Sequence, residues 1–380
     1  MGARHSSSAA GAAAADAPAG ALDERRRSSF AACARPDIAT TIRDKYGDLG
    51  GWPAADKLPV VYNEAYNIGF WGLEKLHPFD SKKFRRVLAL LEAGGVLRRQ
   101  QLVQASEASQ AVLQEVHTPR YLAKLNSSSF TVAQVTELAP LVFLPPFLLR
   151  KKVLQPMATM AGGSMLAAAL AMERGWAINL GGGMHHAAPD AGGGWCPYAD
   201  IHLALRRLRV ASGGAATRFL YVDLDVHQGN GVERCKLHFG EAEQVYIVDV
   251  YNGRAYPWDT EAKRAINQRV ELEPGTGDDQ YLGALAGALA RAFEEFPNPD
   301  LLIYNAGTDI LQGDPLGRLG VSPGGVVQRD RLVWATAVAH RTPILQLLSG
   351  GYTPASTPVI ARCIETLFNE FGLGADVGTG

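Results

Sequence analysis

The chain has 380 residues, of which 47% are hydrophobic and 20% are charged, proportions typical of a soluble globular protein with one large α/β domain or two ordinary ones. The formal net charge of −1 argues against a general electrostatic attraction to nucleic acid or to an anionic membrane. The four cysteines are too scattered for a disulfide framework or a zinc finger, and no apolar run reaches the length of a membrane-spanning helix.

The first 40 residues differ in composition from the rest of the chain. They are rich in Ala, Gly, Ser and Arg and contain few large apolar residues, which favours a disordered tail over residues 1–40. An organelle-targeting segment is the alternative because Arg and Ser are frequent, although Asp16, Asp23 and Glu24 count against it. We therefore expect one folded domain over residues 41–380.

From residue 58 onward, short β-like runs alternate with helical patterns. The first strand is predicted over residues 58–62, and Ser81 is the predicted cap of a helix that ends at Gly94 and Gly95. Further strands are predicted over residues 176–180, 219–226, 245–251, 301–305 and 343–348. Further helices are predicted over residues 157–175, 281–296 and 329–340. Strands separated by helices predict an α/β fold, a single domain with a mostly parallel central sheet and helices on both faces.

Polar residues cluster just after four of the predicted strands. They lie in residues 181–186, at Asp225 and His227, in residues 307–309 and in residues 349–352. In open parallel sheets, ligands bind just beyond the carboxyl ends of the strands. We therefore expect these four segments to converge on one pocket.

The stretch from Tyr221 to His227 is the most informative in the chain. Side chains alternate across a strand, so Asp223, Asp225 and His227 are expected on one face, with the intervening valines and leucine on the other. Three buried polar groups in a row are costly unless a partner satisfies them, and a divalent metal is the simplest partner. Aspartate and histidine at this spacing suit zinc, which accepts nitrogen and carboxylate oxygen ligands.

A catalytic zinc usually has three protein ligands and one open position. Asp309, at the end of a predicted apolar strand, is the best third ligand beside Asp225 and His227. The alternative is that Asp309 caps the turn after it and that Asp223 merely accepts hydrogen bonds from backbone amides.

Two further features could supply chemistry beside a metal. His185 and His186 lie in a glycine-rich loop, where both rings can line one cleft and one can take a proton from water. Tyr352 follows two glycines after the last predicted strand, and its hydroxyl could donate to a developing oxyanion. The alternatives are a pair of hydrogen-bonded loop histidines and an ordinary half-buried tyrosine.

Four segments resemble the motifs of the zinc-dependent histone deacetylase family: GGGMHHAAPDAGGGWCPYAD, YVDLDVHQGNGVER, YNAGTDILQGDPLG and LSGGY. Two others, VYNEAYNIGFWGLEKLHPFD and VYIVDVYNGRAYP, resemble the class IV branch of that family. The likeness covers residues 58–374 in the same order and leaves the N-terminal segment unexplained.

The resemblance implies an arginase/deacetylase-type fold, with zinc held by Asp225, His227 and Asp309 and with ferrous iron as a credible substitute. It implies His186 as the principal general base and acid, and His185 as an electrostatic partner. It implies that Asp223 orients His185 and that Tyr352 polarises the substrate carbonyl. For the substrate, it implies that Gly194 accepts a hydrogen bond from the amide, that Trp195 and Tyr256 form the walls of a tunnel for the lysine side chain, and that Leu316 lies at the mouth of this tunnel. It also implies a structural potassium ion near Asp223, Asp225, His227 and Asp249.

The activity that the resemblance implies is hydrolysis of the Nε-acyl amide of lysine in histones or other proteins, with an acetyl or a longer fatty acyl group. It also implies that the protein is located in the nucleus or the cytoplasm, or in an organelle if the first segment is a targeting signal. Direct binding of nucleic acid is not expected. Asn230 stands where many members of the family have an aspartate behind the second histidine, and Trp195 replaces a more usual phenylalanine.

Three other functions are alternatives to this one. A small-molecule deacetylase, acting for example on acetylpolyamines, would need acidic residues at the tunnel rim. An arginase-like enzyme with two metals is disfavoured because Gly229 stands where a second metal would require a carboxylate. A catalytically silent binding module would have no need for the complete set of ligands, histidines and tyrosine.

Overall fold

A computed structural model of the chain describes residues 30–46, 52–69 and 72–374. A helix, α1 (Pro36–Lys45), precedes the first strand and buries Ile38 and Ile42 in the core. Just before this helix, the ring of Phe30 packs edge-on against Trp334, with the ring centroids 5.3 Å apart. Residues 30–40 therefore pack with the folded domain, and the predicted boundary at residue 41 falls inside α1. Residues 1–29, in which the tail or targeting signal is predicted, lie outside the described residues.

Eight strands in the described part of the chain form one sheet in which every neighbouring pair is parallel. The strands are β1 (Val60–Tyr62), β2 (Val103–Gln104), β3 (Trp176–Asn179), β4 (Phe219–Asp223), β5 (Val245–Asn252), β6 (Gln268–Leu272), β7 (Leu301–Asn305) and β8 (Ile344–Leu347). Their order across the sheet is β2-β1-β3-β8-β7-β4-β5-β6. Because the strand order changes direction along the sheet, the connecting helices flank both faces, as predicted.

The helices connect the strands in chain order. After α1 they are α2 (Lys83–Ala93), α3 (Gln110–Leu113), α4 (Pro119–Ser127), α5 (Ser129–Val135), α6 (Pro146–Leu149), α7 (Gln155–Arg174), α8 (Asp200–Ala211), α9 (Asn230–Phe239), α10 (Asp278–Glu295), α11 (Pro323–Ala339) and α12 (Ser356–Phe371). Shorter helical turns span Glu64–Tyr66, Leu73–Leu76, Arg99–Gln101, Ala139–Phe143, Arg150–Leu154 and Ala262–Ala265.

Most residues of helix α7 are buried, and the helix packs against the strands β1, β3, β7 and β8. Two glycines allow this close approach, since a Cβ atom at Gly162 would lie 1.9 Å from the carbonyl oxygen of Ser106 and one at Gly163 would lie 1.9 Å from the hydroxyl of Tyr66. In the described part of the chain, the helical stretch Pro146–Arg174 is long and apolar enough to cross a membrane by those two criteria alone. Since 89% of its most apolar window is buried inside the protein, it has the character of a core helix.

Several boundaries differ from the sequence predictions, and the largest difference is that α11 begins at Pro323 rather than at residue 329. Strand β4 ends at Asp223 rather than at residue 226, so the residues after it belong to a loop. Ser81 does not cap α2, whose N-cap is Lys82, because the Ser81 hydroxyl instead donates to the carbonyl of Ile68 at 2.7 Å. The predicted apolar stripe of this helix is buried as expected: Phe84, Val87, Leu88 and Leu91.

The two edge strands were not predicted. Strand β2 has only two residues, too few for a periodic pattern. Strand β6 alternates between partly buried and exposed residues, and its composition is mostly polar, because one of its edges faces solvent. Both strands have the weak apolar signal that is typical of sheet edges.

Replacing Ile38 with alanine is expected to lower the free energy of unfolding by about 2–5 kcal/mol, because the side chain is 3% exposed and its loss leaves a cavity. The matched control is Thr41→Ala on the exposed face of the same helix, with an expected change below about 0.5 kcal/mol. Chemical denaturation of both variants measures the difference. Parental stability of Ile38→Ala would show that residues 30–40 do not pack in the core.

Candidate active site

Four loops at the carboxyl ends of neighbouring strands build one site. These loops follow β3, β8, β7 and β4, which lie side by side in the middle of the sheet. In register, Asp223 at the end of β4 is level with Asn305 at the end of β7 and with Asp249 in β5. The structure thus brings together the four polar segments that the sequence places after strand ends.

Asp225, His227 and Asp309 converge on one buried point. Each offers a carboxylate oxygen or ring nitrogen, and these three atoms lie within 4.8 Å of one another. The three residues are 1%, 5% and 0% exposed, respectively. Their meeting does not depend on strand alternation, because Asp225 and His227 lie in the loop beyond the end of β4.

Backbone and hydroxyl donors hold the Asp225 carboxylate. Its Oδ2 accepts hydrogen bonds from the backbone N–H of Gly350 at 2.9 Å and from the Ser349 hydroxyl at 3.0 Å. Its Oδ1 accepts from the backbone N–H of His227 at 3.1 Å and lies 3.0 Å from Nδ1 of the same ring. The loop after β8 therefore grips the loop after β4 through this one carboxylate.

One carboxylate oxygen of Asp309 accepts a hydrogen bond, and the other has no donor in the described part of the chain. Its Oδ1 accepts from the backbone N–H of Val226 at 2.9 Å. Its Oδ2 is buried, has no hydrogen-bond partner among the described residues, and lies 3.2 Å from Nδ1 of His227. The carboxylate therefore does not cap its own following turn, and its free oxygen is the kind of atom that a bound cation would satisfy.

The electrostatics of this group also favour a cation. Burial and the neighbouring Asp225 charge raise the pKa of Asp309 to about 7. Burial alone would lower the pKa of His227, but the carboxylates of Asp225 and Asp309 outweigh it and raise that pKa to about 10. Two acids and one imidazole at this separation are a donor set that suits a divalent metal such as zinc or ferrous iron.

Gly350 keeps the space beside the two carboxylates open. A Cβ atom at this position would lie 2.3 Å from Oδ2 of Asp309 and 2.4 Å from Oδ2 of Asp225. Real Cβ atoms do not approach oxygen so closely, so any other residue here would push the two acids apart. The glycine is therefore required by the group of three ligands rather than by its own backbone angle.

The two histidines lie side by side with their ring centroids 4.0 Å apart. Nδ1 of His185 is 2.9 Å from Oδ2 of Asp223, and its Nε2 is 3.6 Å from Oδ1 of Asp225. Nδ1 of His186 is 2.8 Å from Oδ1 of Asn230. In both rings the Nδ1 atom is thus occupied by a partner, which leaves Nε2 for the interior of the site.

Their different partners shift the pKa values of these rings in opposite directions. Burial alone would lower the pKa of His185, but the charges of Asp223 and Asp225 raise it to about 9. Burial lowers the pKa of His186 well below its usual value, and the charges of His185 and His227 lower it further. At neutral pH these shifts favour a protonated ring at His185 and a neutral ring at His186.

Asn230 fixes the tautomer of the neutral ring. Its Nδ2 donates to Asp259 at 3.2 Å, and Asp259 accepts from Arg234 at 2.8 Å. Because the amide nitrogen is committed to Asp259, the amide oxygen faces His186 and accepts from its Nδ1–H. The Nε2 atom of His186 is then the unprotonated one and can accept a proton.

Tyr352 closes the site from the loop after β8. Its ring meets that of His227 edge-on, with the centroids 5.8 Å apart. Burial and the charges of Asp225 and Asp309 raise the pKa of its hydroxyl well above the usual range. The hydroxyl therefore stays protonated and can act as a hydrogen-bond donor.

Asp314 positions Tyr352 and was missed by the sequence analysis. Its Oδ2 accepts from the backbone N–H of Tyr352 at 2.8 Å, and its Oδ1 accepts from those of Leu316 and Gly317, both at 3.0 Å. One carboxylate thus ties the loop after β7 to the loop after β8. The available signal was an acid between glycine and proline in a segment already assigned to the site.

An open cleft of about 320 Å³ leads down to His186, His227 and Tyr352. All four residues that the family resemblance places on the substrate line this cleft: Gly194, Trp195, Tyr256 and Leu316. Its rim adds His77, Glu137, Arg254, Trp258 and Arg318. Glu137 is the one acid of this rim in the described chain, and its carboxylate lies 3.1 Å from Nε2 of His77.

A second cavity of about 40 Å³ shares His186, Trp195 and Tyr352 with the cleft. The apolar part of its lining comes from Phe79, Phe84, Met157, Met160 and Met184. Its volume is much smaller than that of the cleft, and the shared residues form a common wall between the two.

Lys83 is a functional candidate that the sequence analysis did not find. It is 1% exposed, and its ammonium donates to the carbonyls of Ser349 and Gly350, the latter at 2.7 Å. Burial lowers its pKa to about 8. The available signal was its spacing, because Lys83 precedes Val87 by four residues and so shares the buried stripe of α2.

Comparisons with known proteins agree with this architecture. The family model of the histone deacetylase domain matches residues 77–370. A protein named histone deacetylase 2 from Arabidopsis thaliana is 46% identical, over 90% of this chain and 87% of its own length. An uncharacterized protein from Picosynechococcus is 34% identical, over 77% of this chain and 92% of its own length.

A more distant relative and a solved structure extend these similarities. Histone deacetylase 8 from Xenopus tropicalis is 29% identical, over 80% of this chain and 82% of its own length. The crystal structure of the HD domain of HDA15 superposes with a TM-score of 0.64 at 23% identity, covering 82% of this chain and 89% of that chain. At that identity the superposition supports the fold alone.

Replacing Lys83 with methionine is expected to lower the free energy of unfolding by about 2–4 kcal/mol, because two buried carbonyls lose their donor. The matched control is Lys45→Met, which removes an exposed lysine at the end of α1 that forms no ion pair with a described residue. A surface substitution of this kind changes stability by about 0.5 kcal/mol or less. Chemical denaturation measures both variants, and equal stability of the two would contradict the structural role given to Lys83.

Proposed function

Because the chain belongs to the histone deacetylase family, whose members are deacetylase hydrolases, we propose that it hydrolyses the Nε-acyl amide of lysine side chains in histones or other proteins. The observation that carries this proposal is the convergence of Asp225, His227 and Asp309 beside a charged and a neutral histidine at the floor of one cleft.

Zinc is the metal that we propose for this group, with ferrous iron as the substitute that the same donors accept. Asp225, His227 and Asp309 would hold it and leave a position open toward the cleft. A zinc ion in such a site acts as a Lewis acid and makes water acidic enough to lose a proton near neutral pH. The orphaned oxygen of Asp309 and the open space at Gly350 support this assignment.

His186 is the proposed general base. Its Nδ1 is committed to Asn230, its Nε2 is unprotonated, and its low pKa keeps it neutral at the pH at which water must be deprotonated. After the water has attacked, the proton taken up by His186 can be returned to the leaving amine. A neutral amide stabilises the resulting imidazolium less than a carboxylate would, which also makes that imidazolium a stronger acid.

His185 has a different proposed role, because Asp223 keeps it protonated. Its positive charge lies directly beside His186, with the rings 4.0 Å apart. This charge keeps the pKa of His186 low and stabilises negative charge that develops on the substrate. The division of roles between the two rings follows from one being paired with a carboxylate and the other with an amide.

Tyr352 is the proposed donor to the oxyanion. Its hydroxyl stays protonated because its pKa is raised, and its ring lines the cleft beside His227. A pre-positioned donor of this kind typically contributes several kcal/mol to stabilisation of the transition state. The backbone bond from Asp314 and the carbonyl contacts of Lys83 fix the loop that carries it.

The substrate lysine would extend down the cleft between Trp195 and Tyr256. The carbonyl of Gly194 would accept from the amide N–H of the substrate, and Leu316 would contact the stem near the mouth. In the structure, the Gly194 carbonyl has a weak donor in the thiol of Cys196, at 3.3 Å. A substrate amide is a better donor and can displace this thiol.

The inner cavity suggests which acyl group fits. Its volume of about 40 Å³ favours a small group such as the methyl of an acetyl over a long chain. A longer acyl chain would have to displace side chains of the cavity wall, among which Met157, Met160 and Met184 are the most adaptable. We therefore propose acetyl-lysine as the first substrate to test.

We also propose that the chain belongs to a class IV-like branch of the family, because the segments VYNEAYNIGFWGLEKLHPFD and VYIVDVYNGRAYP resemble that branch.

A structural potassium ion is also part of the proposal. Below the metal group, Asp249 and Glu233 are buried, and each has one carboxylate oxygen without a hydrogen-bond partner in the described chain. Burial and the charge of Asp223 raise the pKa of Asp249 well above its usual value. A monovalent cation near Asp223, Asp225, His227 and Asp249 would offset this excess of buried acid.

The rim does not favour a polyamine substrate. A polycation would need several acids around the mouth, but Glu137 is already paired with His77, and Arg254 and Arg318 lie on the same rim. The like charges of these arginines would repel a polyamine. We therefore prefer acylated lysine in proteins to acetylated polyamines as the substrate.

We expect His227→Ala and Asp309→Ala to lose bound zinc and hydrolysis of an acetyl-lysine peptide together, because each removes one of three ligands. The matched control is Asp190→Ala, which removes an exposed acid from the loop that carries the histidine pair and should keep both properties. Mass-spectrometric metal analysis and a peptide assay on the same samples measure the outcome. Unchanged metal content in both ligand variants would refute the assignment.

We expect Tyr352→Phe to keep its zinc but to lose turnover by about 10²–10³-fold, with a smaller change in KM, since only the oxyanion donor is removed. The control is Tyr246→Phe, which removes the hydroxyl of a tyrosine in β5 that bonds Glu295 away from the cleft. Steady-state kinetics and metal analysis separate the two effects. Full turnover of Tyr352→Phe would exclude this hydroxyl from the reaction.

A further inference from the structure

A group of large apolar side chains is exposed on one side of the molecule. Phe143 is 88% exposed, Phe147 66%, Phe130 59% and Val142 39%. They lie in α5, in the turn Ala139–Phe143 and in α6, which pack against one another. The Ser129 hydroxyl donates to the carbonyl of Leu144 at 2.5 Å, which ties the start of α5 to the segment between the other aromatic residues.

This group flanks the mouth of the cleft. Helix α5 ends at Val135, whose carbonyl accepts a hydrogen bond at 2.9 Å from the backbone N–H of Trp195, a residue that lines the cleft. Glu137, two residues later, lies on the rim of the cleft. The turn that carries Phe143 starts at Ala139 and spans about 10 Å at 2.0 Å per residue. The exposed rings are therefore close to the rim.

The same region is strongly basic, although the chain as a whole has a net charge of −1. Residues 116–172 contain five Lys and Arg residues and a single acid, Glu137, which is paired with His77. The five cations are all exposed, and none forms an ion pair with a described residue: Arg120, Lys124, Arg150, Lys151 and Lys152.

The apolar and basic residues share one face. Arg150 and Lys151 follow Phe147 by three and four residues in a continuous helical stretch, so all three lie on the same side of it. Arg120 and Lys124 are four residues apart on α4, which packs against both α5 and α6. We call this the basic aromatic face, formed by Phe130, Val142, Phe143, Phe147, Arg120, Lys124, Arg150 and Lys151.

We propose that the basic aromatic face docks on an anionic membrane surface. Exposed phenylalanines beside unpaired lysines and arginines are the combination that inserts into the boundary between headgroups and acyl chains while the cations contact lipid phosphates and carboxylates. The paucity of acids over residues 116–172 reduces the repulsion that an anionic surface would otherwise meet, and Glu107 is an acid from outside this range that lines a surface cavity together with Arg150.

Two other occupants fit the face less well. A second copy of the chain would bring four unpaired cations against four others, because a two-fold interface uses the same patch on both subunits. A single-stranded nucleic acid would use the aromatic rings for stacking, but this face also exposes Val142 and Pro145, which offer no stacking surface. Acyl chains, in contrast, accept aliphatic and aromatic side chains equally.

Docking in this way would hold the mouth of the cleft near the lipid surface, where acylated proteins attached to membranes would be the accessible substrates. The docking itself does not depend on the proposed hydrolysis, since none of its residues lies in the cleft. The two proposals can therefore fail separately, and an assay on a soluble peptide distinguishes them.

The test is co-sedimentation of the full-length protein with vesicles of phosphatidylcholine alone or of phosphatidylcholine mixed with phosphatidylserine, at about 0.1 M and about 0.5 M NaCl, since salt screens the attraction between charges. We expect binding to the anionic vesicles and its loss at high salt. Arg150→Glu/Lys151→Glu should weaken binding by about 30-fold or more, since each cation near the surface contributes about five-fold. Phe143→Ser/Phe147→Ser should weaken binding at the lower salt concentration although it leaves the charge of the face unchanged.

Two controls match these variants. Arg98→Glu/Arg362→Glu makes the same change in net charge at exposed arginines elsewhere, and Val210→Ser removes a 60% exposed apolar side chain from α8. Both should bind as the parent does, and all variants should hydrolyse a soluble peptide at the parental rate. Equal binding to neutral vesicles, undiminished binding of the face variants, or capture of single-stranded RNA in place of vesicles would overturn the proposal.

Discussion

The structure depends on the burial of two carboxylates, Asp225 and Asp309, beside each other. Two like charges in a water-free site are unfavourable by many kcal/mol unless a cation and hydrogen bonds compensate them. The backbone N–H groups of Gly350 and Val226 and the hydroxyl of Ser349 supply part of that compensation. The remaining oxygen of Asp309 has no such partner among the described residues, and a bound metal ion would satisfy it.

The parallel sheet makes this arrangement possible. Because β3, β8, β7 and β4 are neighbours and all point the same way, the loops that follow them meet at one edge, although they are far apart in sequence. Buried side chains then fix each loop to the next. Asp225 joins the loops after β4 and β8, Asp314 joins those after β7 and β8, and Lys83 supports the last of them from below. The precision of the site therefore comes from cross-links between loops rather than from any one loop.

Much of this site can be read from the sequence, because residue types at strand ends carry the information. Asp225, His227 and Asp309 stand out as polar groups next to apolar runs, and they meet even though β4 ends three residues earlier than predicted. Lys83 and Asp314 could not be found as readily, since each acts on backbone groups of a distant loop, and such contacts leave no local pattern. The same limit explains Ser81, whose hydroxyl bonds the carbonyl of Ile68 instead of capping its own helix. The packing of residues 30–40 likewise depends on partners, such as Trp334, that lie far along the chain.

The most direct measurement of the central claim is anomalous diffraction at the zinc absorption edge from crystals of the protein purified without chelator. The account predicts one strong peak within about 2.0–2.2 Å of an oxygen of Asp225, an oxygen of Asp309 and Nδ1 of His227, as in other zinc sites with these ligands. A zinc peak elsewhere in the molecule, with these three side chains bonded only to protein groups, would contradict it.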